Sequence, residues 1–179
     1  MFEDRGLIIR SDSLSVLIIS DLHLGIEEEI SEERGIHFPL QDTNIIERIN
    51  SLVKKYNLSS LYIIGDVKHT ILTDIPYNWD IIPEFMETLA EIVETMIIPG
   101  NHDGDLESLL PRNVELADVH GIVIGMDEDR IGLMHGHSWP APELLDASRF
   151  IAGHSHPAVS RFRTISKPEI GRDRKRYAG

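Results

Sequence analysis

Seven of the nine histidines in this 179-residue chain fall into five short polar clusters. The clusters are Asp21/His23, Asp66/His69, Asn101/His102/Asp103, His135/His137 and His154/His156. Singly, each is a weak signal. Asp-x-His is more often a turn than a ligand pair, His-x-His occurs on ordinary surface strands, and Gly-Asn-His-Asp reads equally well as a tight turn. Their joint occurrence, each just past an apolar run, is what points to chemistry. The reaction that suits such a set is hydrolysis at two divalent ions about 3.5–4 Å apart, which needs a carboxylate to bridge them and imidazoles and hard oxygens around them. There are no cysteines, so thiolate ligation is excluded. Mixed nitrogen and oxygen ligation favours Mn, Fe, Zn or similar ions such as Ni and Co over Mg and Ca, which prefer all-oxygen shells, and Mn is the expected ion of the pair.

The elements that must position these clusters are legible as apolar runs that stop abruptly. Leu61-Tyr62-Ile63-Ile64 ends at Gly65-Asp66, as a strand covered on both faces does when it meets a site at its carboxyl end. Leu7–Ile9, Leu14–Ser20 and Met96–Ile98 read as further strands, the latter two ending at Asp21 and at Gly100-Asn101. Gln41–Asn57 predicts a helix, with Ile45, Ile46, Ile49, Leu52, Val53 and Tyr56 on one face. A second helix is predicted over Asp80–Glu94, with Ile81, Ile82, Phe85, Leu89, Ile92 and Val93 as its stripe, and Thr73–Pro76 before it reads as a loop. Glu27–Arg34 reads as a short helix or a lid-like loop, with Glu27-Glu28-Glu29 on a solvated face. Beyond a short helix at Leu106–Leu110 come short strands at Val114–Leu116, Gly121–Met126 and Arg130–Met134. A small helix follows at Glu143–Ala147, then strands at Arg149–Ala152 and Ala158–Phe162. The β-α-β-α start and β-rich end predict an α/β fold, two packed mixed sheets flanked by helices in a four-layer sandwich.

The totals set limits. A hydrophobic content of 41% and a charged content of 26% are those of an ordinary globular domain. The expectation is one domain over residues 1–162 and a basic tail over 163–179. A net charge of −13 argues against coating nucleic acid by bulk electrostatics. The charge is uneven, because Arg161–Gly179 holds seven Lys/Arg against Glu169 and Asp173 while the rest is strongly acidic. A polar start without a signal-peptide pattern and the lack of a long apolar run make the cytoplasm the expected location and exclude a membrane partner.

The ordered set Asp21-Leu22-His23, Gly65-Asp66-Val67-Lys68-His69, Gly100-Asn101-His102-Asp103, His135-Gly136 and Gly153-His154-Ser155-His156 resembles the motifs of the calcineurin-like metallophosphoesterase superfamily. Within it, the wording is most similar to small archaeal and bacterial phosphoesterases related to the DNA-ligase-associated group. The resemblance implies that Asp21, His23, Asp66 and His156 hold one metal. It implies that Asp66, Asn101, His135 and His154 hold the other, with Asp66 bridging. His102 then faces the scissile phosphate as cationic stabiliser and general acid, and a hydroxide shared by the ions attacks phosphorus in line. Where the phosphoprotein phosphatase branch has an Asp that orients this catalytic His, the chain has His69, as in the nuclease subunit of the double-strand-break repair complex. His69 is accordingly expected to place substrate, with simple packing as the alternative.

His137 either lines the pocket or sits behind a ligand. Asp103 either orients His102 or caps the following short helix, and capping is the preferred reading. Trp139 and Pro140 wall the cleft or pack in the core. Relatives continue further past the last motif, so a homo-oligomer formed through the open C-terminal sheet edge is expected as one solution. The implied activity is a metal-dependent phosphodiesterase, a nuclease for single-stranded or damaged nucleic acid being the leading form. The alternatives are a phosphomonoesterase or cyclic-nucleotide phosphodiesterase for small molecules and, last, a scaffold that binds without turnover.

Overall fold

Hydrophobic alternation sorts the chain into layers. In the computed structural model, which describes residues 1–72, 75–126 and 129–156, the first six strands form one mixed sheet in chain order: β1 (Phe2–Glu3), β2 (Gly6–Arg10), β3 (Ser15–Ile19), β4 (Ser60–Ile64), β5 (Glu94–Ile98) and β6 (Val114–Leu116). β1, β2 and β3 pair antiparallel, and β3 to β6 run parallel. The second sheet is β7 (Ile122–Ile124), β8 (Ile131–Met134) and β9 (Arg149–Ala152), antiparallel and then parallel.

The two-residue period of a strand sends successive side chains to opposite faces. Leu17, Leu61, Ile63 and Ile97 face one way, into a core shared with the helices, whereas Val16, Ile18, Ile64 and Ile98 face the small sheet and meet Ile124, Ile131 and Leu133. Parallel pairing requires crossover elements. These are α1 (Ile26–Arg34) and α2 (Asp42–Tyr56) between β3 and β4, and α3 (Pro76–Ile92) between β4 and β5. α2 buries Ile49, Leu52 and Val53 on the expected face, with Ile45, Ile46 and Tyr56 packed beside them. The outer face of the small sheet carries the 3-10 turn Pro142–Asp146, whose Leu144 is buried. The layers are therefore helices, large sheet, small sheet and a reduced outermost turn, as the sequence predicts.

Several boundaries differ from expectation. α3 begins at Pro76, four residues before Asp80, because a proline at the first helical position gives up an N–H that has no intrahelical partner anyway. It ends at Ile92. Val93 is extended and buried, its N–H still closing the last turn on Leu89, so strand β5 starts at Glu94 with no loop between. Glu27–Arg34 lies in a helix, α1, none of whose residues is buried. The strand expected at Ala158–Phe162 and the basic tail lie outside the described residues. Among the described residues, no helix is long and apolar enough to cross a membrane.

Candidate metal centre

Five loops leave the carboxyl ends of strands that run parallel within their sheets: β3, β4 and β5 in one, β8 and β9 in the other. They supply Asp21/His23, Asp66/His69, Asn101/His102, His135 and His154/His156 in turn. The five loops meet in one place. Asp21, His23 and His156 each offer a ligand atom within 4.8 Å of the others, and so do Asp66, His135 and His154. Asp66 reaches both groups, its Oδ2 being 3.8 Å from His23 Nε2 and 3.3 Å from His135 Nε2. Asn101 Oδ1 lies 3.2 Å from His135 Nε2. His156 Nε2 lies 3.4 Å from Asp21 Oδ1.

Hydrogen bonding around His135 shows what these atoms are suited to. Its ring is fully buried, and Nδ1 donates to the carbonyl of Ile64 at 3.0 Å, tying the small sheet to the large one. In the neutral ring that assigns a lone pair to Nε2, which then faces Asp66 Oδ2 and Asn101 Oδ1, both acceptors. Acceptor atoms gathered at this spacing repel unless a cation lies among them, so the donor set fits a divalent metal with mixed nitrogen and oxygen ligation. Burial also pushes the His23 imidazole below its ordinary pKa against the pull of Asp66. That favours the neutral form, and a metal ligand must be neutral imidazole.

The backbone bends to present these groups. Asp21, His23, Asp66, His154 and His156 have φ of 54°, 47°, 51°, 66° and 40°, all left-handed. Such a conformation costs a non-glycine residue roughly 1–2 kcal/mol, and five of the nine non-glycine residues that adopt it among those described are here. Two glycines make room. Gly65, itself at φ 86°, lies against the His135 ring, and Gly100 lies against the Asp66 carboxylate and main-chain nitrogen, so that a Cβ at either would overlap its neighbour. Gly100→Ala is expected to displace Asp66 and reduce the ions bound per chain, with secondary structure kept. Metal stoichiometry and far-ultraviolet circular dichroism check this, and an unchanged stoichiometry would contradict the packing described.

The loops after β4 and β5 are laced together. His102 N–H donates to Asp66 Oδ1 at 3.0 Å, and His102 Nδ1 hydrogen-bonds the main-chain oxygen of His69. Asp103, expected to cap the next helix, does not do so. Its carboxylate accepts from Val67 N at 2.9 Å, Lys68 N at 3.3 Å and Gly100 N at 2.8 Å. It is nearly buried, and burial raises its pKa against the lowering by these N–H groups. Three donors from two loops outcompete a single local cap because they satisfy a carboxylate that solvent does not reach.

Lys68 carried no role in the sequence reading, yet it is fully buried. Its ammonium donates to the carbonyls of Thr70 at 3.0 Å, Ile71 at 2.6 Å and His102 at 2.6 Å. Burial holds its pKa below the usual lysine value, with Asp103 and Asp105 pulling upward. The only signal available in advance was a charged residue directly after a buried strand and its turn.

The His69 ring does not hydrogen-bond the His102 ring. The two rings stack, 23° apart in plane with centroids 5.9 Å apart, and it is the His69 carbonyl that meets His102 Nδ1. His137 stands 5.3 Å from the His135 ring and 6.2 Å from His154, centroid to centroid. Trp139 is 87% exposed, which rules out its packing in the core. Its carbonyl meets His120 Nδ1 at 2.8 Å.

Paired imidazoles and carboxylates gathered at the strand ends of an α/β sandwich suit two-metal hydrolysis. The profile of the calcineurin-like phosphoesterase family matches residues 14–167, and the chain belongs to that family. Two solved structures share the fold. One is Pseudomonas putida nuclease MPE, at 18% identity and a TM-score of 0.53, the match covering 85% of this chain and 74% of that one. The other is the protein of unknown function AQ665 from Aquifex aeolicus, at 20% identity and a TM-score of 0.52, covering 80% of each chain. No curated protein matches the sequence at a significant level.

Proposed function

We propose that the protein is a dinuclear-metal phosphodiesterase whose leading substrates are single-stranded or damaged nucleic acid, with Mn as the working ion. The observation that carries this reading is the reach of one buried carboxylate, Asp66, toward imidazoles of both groups. Asp21, His23, Asp66 and His156 would hold one cation, and Asp66, Asn101, His135 and His154 the other. Two cations held there would supply charge neutralisation at the phosphoryl oxygens and activation of water.

The remaining work falls to the chain itself. His102 has Nδ1 committed to the His69 carbonyl, so Nε2 is the atom that delivers a proton to the leaving oxygen. Stacking beside it, the His69 ring helps to shape the wall against which a substrate rests. A phosphodiester fits better than a phosphoprotein because, among the described residues, no Asp side chain hydrogen-bonds the His102 ring, whose Nδ1 meets the His69 carbonyl instead. The acidic body is no obstacle to a short or single-stranded substrate, which needs only a few phosphate contacts near the site. One of the fold neighbours is a nuclease, in keeping with this choice.

The test is turnover by Mn-loaded protein on bis-p-nitrophenyl phosphate, p-nitrophenyl phosphate and end-labelled single-stranded DNA, with Asp66→Asn alongside. Diester and DNA cleavage that disappears in Asp66→Asn is the expected result. Preference for the monoester would transfer the site to a small-molecule phosphatase. No turnover with Mn, Fe, Zn, Ni or Co would leave a binding scaffold.

A further inference from the structure

Among the described residues, α1 is the one α-helix that buries nothing, yet one of its residues reaches the centre. Glu29 Oε2 lies 3.3 Å from His69 Nε2. The other nitrogen of that ring, Nδ1, lies 3.4 Å from His23 Nδ1. The opposite edge of His23, its Nε2, is the one that faces Asp66.

These contacts fix a single proton arrangement. If His23 Nε2 gives its lone pair to a metal, the ring proton is on Nδ1, and Nδ1 must donate. The atom facing it, His69 Nδ1, must then accept, which places the His69 proton on Nε2. His69 Nε2 donates to Glu29, which carries only acceptors. Every member of the line has the role its neighbour requires, and no group is left with two donors or two acceptors in opposition.

We propose that Glu29 is a positioning residue, the outer anchor of a Glu29–His69–His23 relay that holds His23 in the tautomer and ring orientation needed to ligate metal. The proposal rests on the metal reading given above. Its logic is general: a ligating imidazole is oriented by the hydrogen bond its other nitrogen makes, and the partner is commonly a carboxylate or carbonyl. Here the carboxylate sits one imidazole further out, on a surface helix that no strand-end motif includes. The relay also gives His69 a task that a stacked neighbour of His102 would not have.

Glu29 has a half-exposed side chain on a helix without buried residues, so its replacement leaves the core untouched. The experiment compares wild type, Glu29→Ala and Glu29→Asp with Glu28→Ala as the control on the same helix. Two readouts are used: Zn²⁺ stoichiometry and affinity by calorimetry, and histidine tautomers from long-range ¹H–¹⁵N spectra of metal-free and Zn-loaded protein. In wild type, His69 is expected as the Nε2–H tautomer and His23 as the Nδ1–H tautomer. Glu29→Ala should weaken the Zn²⁺ ion that His23 would hold by about 10- to 100-fold, the usual effect of losing such a partner, and should scramble the His69 tautomer. Glu29→Asp should recover part of the affinity and Glu28→Ala should match wild type.

Equal affinity in wild type and Glu29→Ala, or a His23 protonated on Nε2, overturns the relay while leaving the two-metal reading intact. Fewer than two ions in wild type overturns both. A third ion overturns the relay alone, because His23, His69 and His102 each offer an atom within 4.8 Å of the others, and a cation there would take the lone pairs and displace the protons on which the line depends.

Discussion

His102→Ala is expected to lower kcat by about 10²- to 10⁴-fold, the range for loss of a positioned general acid, while the chain still binds two ions. Two features make this substitution unusually clean. Two of the three hydrogen bonds that lace His102 into the neighbouring loop use its main chain: its N–H donates to Asp66 and its carbonyl accepts from Lys68. Alanine keeps both. Only the imidazole is lost, with its contact to the His69 carbonyl and its edge-on approach to His23 at 5.0 Å between centroids. Steady-state kinetics on a diester with a poor leaving group, set beside calorimetric metal binding, check the prediction. A substrate with a good leaving group such as p-nitrophenolate should suffer less, since it departs without a proton. Equal losses on both substrates would assign His102 to charge stabilisation alone, and loss of metal would move it into the ligand set.

The second large effect is on stability. Lys68→Met is expected to cost about 3 kcal/mol or more, since three carbonyls lose an ionised donor worth roughly 1.5–3 kcal/mol each and relief from burying an ammonium offsets only part of that. For a chain of this length each kcal/mol corresponds to about 2–4 °C in the unfolding midpoint, so a fall of roughly 10 °C follows. The carbonyls belong to Thr70, Ile71 and His102, so the damage concentrates where the loops after β4 and β5 meet. Hydrogen exchange should show amides of residues 67–71 and 101–103 losing protection before the β4 and β5 strands do. A midpoint within about 2 °C of wild type would mean that the ammonium does not hold those carbonyls in solution.

How much of this was readable beforehand follows from where each constraint lives. The strand ends were legible because an apolar run covered on both faces must stop sharply, and at Asp21, Asp66 and Asn101 it does. The stripe of α2 was legible because Ile49, Leu52 and Val53 are spaced by the helical period. Glu29 was not, since α1 carries only Ile26 and Ile30 on an otherwise polar surface and nothing in its pattern marks one glutamate as reaching a ligand loop. Lys68 was not, because its burial depends on carbonyls presented by the opposing loop, which no local rule supplies. Asp103 was misread for a related reason: a carboxylate before a short helix is locally a cap, and only the packing of Val67 and Lys68 against it makes it a brace. The start of α3 was missed by reading Pro76 as a loop residue rather than as the first position of a helix.

The left-handed backbone at Asp21, His23, Asp66, His154 and His156 bears on any attempt to engineer this scaffold. Sequence optimisation aimed at thermal resilience favours glycine or asparagine wherever φ is positive. Applied here, it would select five of the very positions that supply the imidazoles and carboxylates. A redesign blind to chemistry would thus erase the centre first and report success by melting temperature, so these five positions need to be frozen before the rest of the chain is allowed to vary.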